Sequence, residues 1–257
     1  MKAVILAGGM GTRLREETEF RPKPMVEIGG RPILWHIMKT LSTQGINDFV
    51  ICLGYKGDYI KDFFMNYEAR THDITVKLGE DEGLIHHSES PSENWTVTLA
   101  NTGASTMTGG RINKIKKYVT DERFLCTYGD GVANIDLKAL NSFHEAHGKI
   151  ATVTSVRPTN RFGSMQIDKN NSVTEFAEKP LAEKRVNGGY FIFEPQIFNY
   201  LDNECILEKE PLEKLSTAGE LKAYNHDGFW QPMDTFRETL ELNDLWDSNQ
   251  APWKIWD

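Results

Sequence analysis

The chain opens with MKAVILAGGMGTRL, an apolar run that passes without a break into three glycines and an arginine. Val4 to Ala7 carries no polar residue, the pattern of a strand buried on both faces of a parallel sheet. Gly8, Gly9 and Gly11 lack a Cβ, so the backbone after that strand can turn sharply and bring successive N–H groups up to phosphate oxygens. Arg13 adds a planar, permanently charged fork suited to the same oxygens. Lys23 then follows between Pro22 and Pro24, which limit the backbone freedom around one cationic side chain. Leu6, Ala7, Gly8, Gly9, Met10, Gly11, Thr12, Arg13 and Lys23 together read as a nucleoside triphosphate site. A tight strand-to-loop turn with an incidental arginine is the plainer alternative.

Two other phosphate loops do not fit. Walker A ends in a lysine followed by Ser or Thr, and none closes this loop. In the Rossmann fingerprint a helix follows the glycines directly, but Pro22 and Pro24 keep much of the next stretch irregular. Leu14 also stands where the third glycine or alanine would fall.

The net charge is −8 and basic residues form no long run, which argues against a nucleic-acid partner. Cys52, Cys126 and Cys205 are odd in number and widely spaced, so they read as reduced thiols of a cytoplasmic protein. No stretch approaches the ~18 apolar residues of a membrane span, and residues 1–7 are too short for the apolar core of a signal peptide. Neither a membrane nor export is expected.

Strand-like runs at 2–7, 47–53 and 123–128 alternate with helical patterns at 32–44, 56–66, 109–119 and 136–147. That alternation predicts an α/β fold, a Rossmann-like doubly wound mixed sheet, in one domain spanning 1–257. Two β-rich insertions are expected, near 71–105 and 150–193. In the first, ITVKL and WTVTLAN read as antiparallel strands flanking a polar stretch.

Thr127-Tyr128-Gly129-Asp130-Gly131 lies at the carboxyl end of one strand run, where ligands bind in open parallel sheets. A carboxylate there is well placed to hold a divalent cation, although Asp-Gly is also ordinary turn chemistry. Asp234 sits behind Phe229, Trp230 and Pro232 and before a C-terminal helical pattern. Helix capping alone would account for it.

The pattern L-A-G-G-x-G-T-R-L followed by K-P resembles the sugar-nucleotide pyrophosphorylases, nucleotidyltransferases that act on sugar 1-phosphates. The resemblance implies that Arg13, Lys23 and Asp130 are catalytic, and that Asp130 and Asp234 bind Mg²⁺. It assigns a sugar-phosphate site to Gly163 (of Arg161-Phe162-Gly163), to Glu178 and Lys179 (of Glu178-Lys179-Pro180), and to Asn187 and Gly188. The thymidylyl- and uridylyl-transferring relatives carry a glutamine-containing base segment that is absent here. Instead, T-G-x-x-x-x-T-G-G-R, P-M-V-E-I-G-G-R-P-I-L-W-H-I-M and the terminal A-P-W-K-x-W resemble the branch that uses CTP and glucose 1-phosphate. Thr102, Gly103, Ser105, Gly110, Arg111 and Gly129 are then expected on the nucleotide. A homo-oligomer, often a hexamer, is implied as well.

Other residues read more plainly. His144 and His147 have the wrong spacing for a zinc hydrolase. His86-His87 falls in a polar stretch. Trp246, Trp253 and Trp256 are expected to pack against the core or a neighbouring subunit. A glycosyltransferase would share this kind of fold, but the sequence carries no D-x-D motif.

Overall fold

The apolar run at the start of the chain forms β1 (Lys2–Ala7), which is covered by parallel neighbours on both edges. The computed structural model describes residues 1–79, 83–87, 93–119, 122–159, 162–178 and 180–256. Within them the sheet comprises β1, β2 (Asp48–Leu53), β3 (Thr96–Asn101), β4 (Phe124–Tyr128), β5 (Ala151–Val156), β6 (Val186–Phe193) and β7 (Leu221–Asn225). The order across the sheet is β3-β2-β1-β4-β6-β5-β7. Only β6 runs antiparallel to its neighbours.

Alternate residues of β1 feed two separate cores. Ala3, Ile5 and Ala7 pack with α1 (Ile33–Thr43), while Val4 and Leu6 face the opposite layer. Of the further helices α2 (Gly57–Met65), α3 (Thr108–Lys114), α4 (Leu137–His147), α5 (Glu210–Thr217) and α6 (Phe236–Asp247), α3 and α5 contribute to the second core. Helices on both faces explain why the strands are apolar on both sides. Asp136 caps α4, its Oδ1 accepting from the Ala139 N–H at 2.9 Å. β2 lies on one side of β1 and β4 on the other, so the loops after β1 and β4 meet at the point where strand order reverses. Such a point is a binding crevice in open α/β sheets.

Three expectations need correction. Thr96–Asn101 does not belong to an insertion hairpin; it is the parallel edge strand beside β2, and Asp73–Val76 pairs with Leu84–His87 instead. Its alternating pattern reflects an edge strand with partly exposed faces. Likewise β5 and β6 belong to the main sheet, and among the described residues of 150–193 Ser164–Ile167 and Val173–Ala177 form a separate hairpin. The helix expected over 109–119 is two helices, Thr108–Lys114 and Lys116–Val119.

The tryptophans close the core beneath α1. Trp253 is fully buried and stacks on Phe229 with ring centroids 5.5 Å apart. Its Nε1–H donates to His36 Nδ1 at 3.3 Å, while His36 Nε2 lies 2.8 Å from the Ile28 carbonyl. This pattern fits a neutral imidazole protonated on Nε2. Burial pushes the His36 pKa down to about 4. The neutral ring therefore contributes stability above the unfolded pKa, ~6.5, and that contribution is lost as pH falls toward about 4. Denaturant titrations should show a decline across this window of about 3 kcal/mol at most. The component should be missing from a His36→Leu chain, and an equal decline there would refute the assignment.

Candidate active site

Gly8 begins the loop, and its carbonyl is held from below by the Tyr55 N–H at 3.1 Å and Arg111 Nη2 at 2.9 Å. A Cβ on Gly8 would lie 2.2 Å from the Arg111 guanidinium, so only glycine allows this contact. Gly11 turns the loop with φ +60°, and its carbonyl accepts the Leu14 N–H at 3.0 Å. Thr12 and Arg13 are thereby left on the open side. Lys23 lies in a short 3₁₀ turn, Lys23–Met25, entered from the extended Pro22. It is only 7% exposed.

Lys23 Nζ stands between two carboxylates, 2.6 Å from Asp130 Oδ2 and 2.5 Å from Asp234 Oδ1. Arg13 Nη1 pairs with Asp234 Oδ2 at 2.6 Å. Two cations and two anions from distant parts of the chain thus form one balanced cluster. A small antiparallel ribbon brings the carboxylates together: Gly131–Ala133 pairs with Trp230–Pro232, and the Met233 N–H donates to the Asp130 carbonyl at 2.8 Å.

Asp234 does not cap the C-terminal helix. Thr235 is the cap of α6, in a reciprocal capping box with Glu238, and Glu238 also accepts the Asp234 N–H at 2.7 Å. The Asp234 carboxylate is free to face the cluster because its neighbour does the capping.

Two clefts of about 320 and 330 Å³ meet at this cluster, and Arg13, Tyr128 and Asp130 line both. The first is walled by Leu6 to Gly9, Gly11 to Arg13, Lys23, Gly129 and the start of α3. The second is walled by Asn187 to Tyr190, Trp230, Pro232 and Asp234. Gly188 packs against β5, where a Cβ would come within 2.8 Å of Thr154 and Val156, and its carbonyl accepts Trp230 Nε1–H at 2.8 Å.

Arg111 lines the first cleft, while several other expected residues stand behind the clefts. Arg111 is 4% exposed and spends its guanidinium on the Leu53, Gly103 and Gly8 carbonyls and the Thr102 hydroxyl, at 3.1, 2.8, 2.9 and 2.7 Å. It ties the glycine loop to the ends of β2 and β3. Gly110 faces away, with a Cβ position 2.2 Å from the Asn203 carbonyl. Met10, Thr102, Gly103 and Ser105 are not among the cleft-lining residues. Gly163 and Glu178 adjoin one another on the exposed hairpin, where a Cβ on Gly163 would lie 3.0 Å from Glu178 Oε2, and they line neither cleft. Lys179 and Arg161 lie outside the described residues. Sequence reasoning passed over Tyr128, Thr106, Met107, Thr108 and Trp230, all cleft-lining. Tyr128 and Trp230 were signalled by the motifs that carry Asp130 and Asp234.

Residues 2–235 match the nucleotidyl transferase family model. The chain belongs to the nucleotidyl transferase family. Over the full length of both chains, this nucleotidyl transferase is 52% identical to glucose-1-phosphate cytidylyltransferase of Salmonella typhimurium. It is 45% identical, again over both full lengths, to the probable glucose-1-phosphate cytidylyltransferase of Bacillus subtilis. Among solved structures, HddC from Yersinia pseudotuberculosis complexed with GMP-PN matches with a TM-score of 0.69 at 25% identity, covering 95% of this chain and 99% of that one. In this nucleotidyl transferase, Arg111→Ala would remove four hydrogen bonds from a charged donor at once, to the Leu53, Gly103 and Gly8 carbonyls and the Thr102 hydroxyl. The expected cost is about 3 kcal/mol or more in stability, read as a lowered denaturant midpoint. An unchanged midpoint would show that Arg111 is not the tie.

Proposed function

We infer that the chain transfers the cytidylyl group of CTP to glucose 1-phosphate, giving CDP-glucose and pyrophosphate. The observation that carries this reading is the identity of 52% and 45%, over whole lengths, to enzymes named for that activity. A phosphate oxygen of glucose 1-phosphate attacks the α-phosphorus of CTP in line, and the bond to the β-phosphate breaks. That oxygen is already ionised, so no general base is needed. The protein must instead hold two polyanions together and offset the charge that develops on the departing pyrophosphate.

The first cleft takes CTP on the backbone of Leu6 to Arg13, with Gly129 at its edge, and Arg13 and Lys23 face the phosphates. Arg111, on the cleft wall, holds the loop in place through Gly8, Thr102 and Gly103; a base contact by Thr102, Gly103, Ser105 or Gly110 rests on the family resemblance alone. The second cleft takes glucose 1-phosphate against Asn187 and Gly188. The roles of Gly163, Glu178 and Lys179 on the sugar phosphate rest on the family resemblance alone. The donor set fits a divalent cation: two carboxylates converge on one cationic group, and Mg²⁺ takes one or two carboxylates plus phosphate oxygens and waters. Asp130 and Asp234 would hold Mg²⁺, which when bound neutralises phosphate charge. The reading places the enzyme in the cytoplasm, as one domain over 1–257 assembled into a homo-oligomer, a hexamer by family resemblance. No helix among the described residues is long and apolar enough to cross a membrane.

Pyrophosphate release from CTP and glucose 1-phosphate tests the reading, and its absence would refute it. Base choice is a sharper test. Cytosine presents an amino donor where uracil and thymine present a carbonyl, and a site built to bond one rejects the other strongly. CTP should exceed dTTP by at least ~10²-fold in kcat/KM, with UTP the better tolerated of the two. Equal use of dTTP would move the chain to the thymidylyl-transferring branch.

A further inference from the structure

A run of hydrogen bonds joins the walls of the two clefts through a residue outside every phosphate-binding motif. Thr108, on the first cleft, donates its hydroxyl to Glu208 Oε2 at 2.6 Å. The other oxygen of that carboxylate accepts the Tyr128 phenol. Tyr128 lines both clefts, and its oxygen accepts from Asn187 Nδ2 at 3.4 Å on the sugar side. Asn187 Oδ1 in turn accepts the Gly189 N–H at 2.8 Å. Gly189 has φ +79°, and a Cβ there would lie 2.5 Å from the Tyr128 ring. The ring is thus seated on bare backbone and gripped by its hydroxyl.

Glu208 is held firmly from its own side. The Leu207 N–H donates to Thr108 Oγ1 at 2.9 Å, and the Gly110 N–H donates to the Cys205 carbonyl at 3.1 Å. These bonds clamp the segment before α5 onto the start of α3. A negative charge beside clefts that receive polyanions opposes their binding, so a carboxylate here needs an offsetting use. Its chemistry supplies one: a carboxylate accepts from two hydroxyls at once, whereas an amide presents one accepting and one donating edge. Burial, and then the Glu208 charge, push the Tyr128 phenol well above its usual range, so it remains a donor.

We propose that Glu208 is a positioning residue that, through Tyr128 and Thr108, fixes the partition between the nucleotide and sugar clefts and so keeps the two substrates in line. The proposal rests on the functional reading above. Tyr128 stands where the two clefts meet, so its ring helps set the distance between attacking oxygen and α-phosphorus. Misplacement of about 1 Å can cost about 10²-fold in rate. Glu208 acts through other side chains, so its loss falls on kcat and leaves substrate affinities largely intact.

The test is steady-state kinetics of the full chain with CTP and glucose 1-phosphate, for Glu208→Ala, Tyr128→Phe, the double variant and Glu208→Gln. Each single removal should lower kcat about tenfold with both KM values within about threefold. The double variant should be about as slow as the slower single, because both remove one linkage. Glu208→Gln, whose amide oxygen still accepts one hydroxyl, should recover part of the loss. An unchanged kcat in Glu208→Ala, a loss confined to KM, or losses that multiply in the double variant would overturn the proposal. If Glu208→Ala fails to fold, Glu208→Gln and its combination with Tyr128→Phe decide by the same comparison. No turnover in the unaltered chain would sink the functional reading, and the proposal with it.

Discussion

Lys23→Ala should lower turnover by roughly 10²-fold or more, the scale seen when a preorganised charge-stabilising donor is removed. Two effects add. The variant loses the cation that faces the phosphates, and it leaves Asp130 and Asp234 without the ammonium they share at 2.6 and 2.5 Å. Uncompensated carboxylates then repel an incoming triphosphate. Lys23→Arg should not rescue it, because a planar fork cannot replace a compact ammonium in a side chain that is only 9% exposed. Arg13→Ala should fall by a similar factor. Near-normal pyrophosphate release from either alanine variant, with native circular dichroism, would refute the role given to that residue.

Asp234→Asn should lose most turnover at low Mg²⁺ and recover part of it as Mg²⁺ is raised, while EDTA should abolish turnover in the unaltered chain. The neighbouring residue supplies the contrast. Thr235 caps α6, so Thr235→Ala should cost about 1 kcal/mol of stability and leave the Mg²⁺ response in place. Melting curves and Mg²⁺ titrations of the two variants separate the roles. Full activity of Asp234→Asn at every Mg²⁺ concentration would rule out a metal ligand.

These adjacent residues show where sequence reading works and where it stops. Loop chemistry is local: Gly8, Gly9, Gly11 and Arg13 follow a buried strand directly, and composition and order alone point to phosphate. The cap of α6 was legible as a helix start but misplaced by one residue, because Asp234 and Thr235 are both good caps and only geometry divides them. β3 reads in the sequence as an insertion strand because an edge strand alternates like a hairpin strand. Arg111 stands out in its motif, but its tying of the loop to β2 and β3 is not legible, since its partners include backbone carbonyls and every residue has a carbonyl. Glu208 carries no motif, and its meaning comes from two hydroxyls contributed by α3 and β4.

The ion cluster also says something about how the site is spread along the chain. Lys23 meets Asp130 across 107 positions of chain and Asp234 across 211. Contacts that close such long loops carry a chain-entropy cost that local contacts do not. The glycine loop and β1 alone hold neither of the carboxylates that flank Lys23. The cluster therefore needs the loop after β1, the end of β4 and the last ribbon in place together, so that the site is a property of the whole chain and of no one segment.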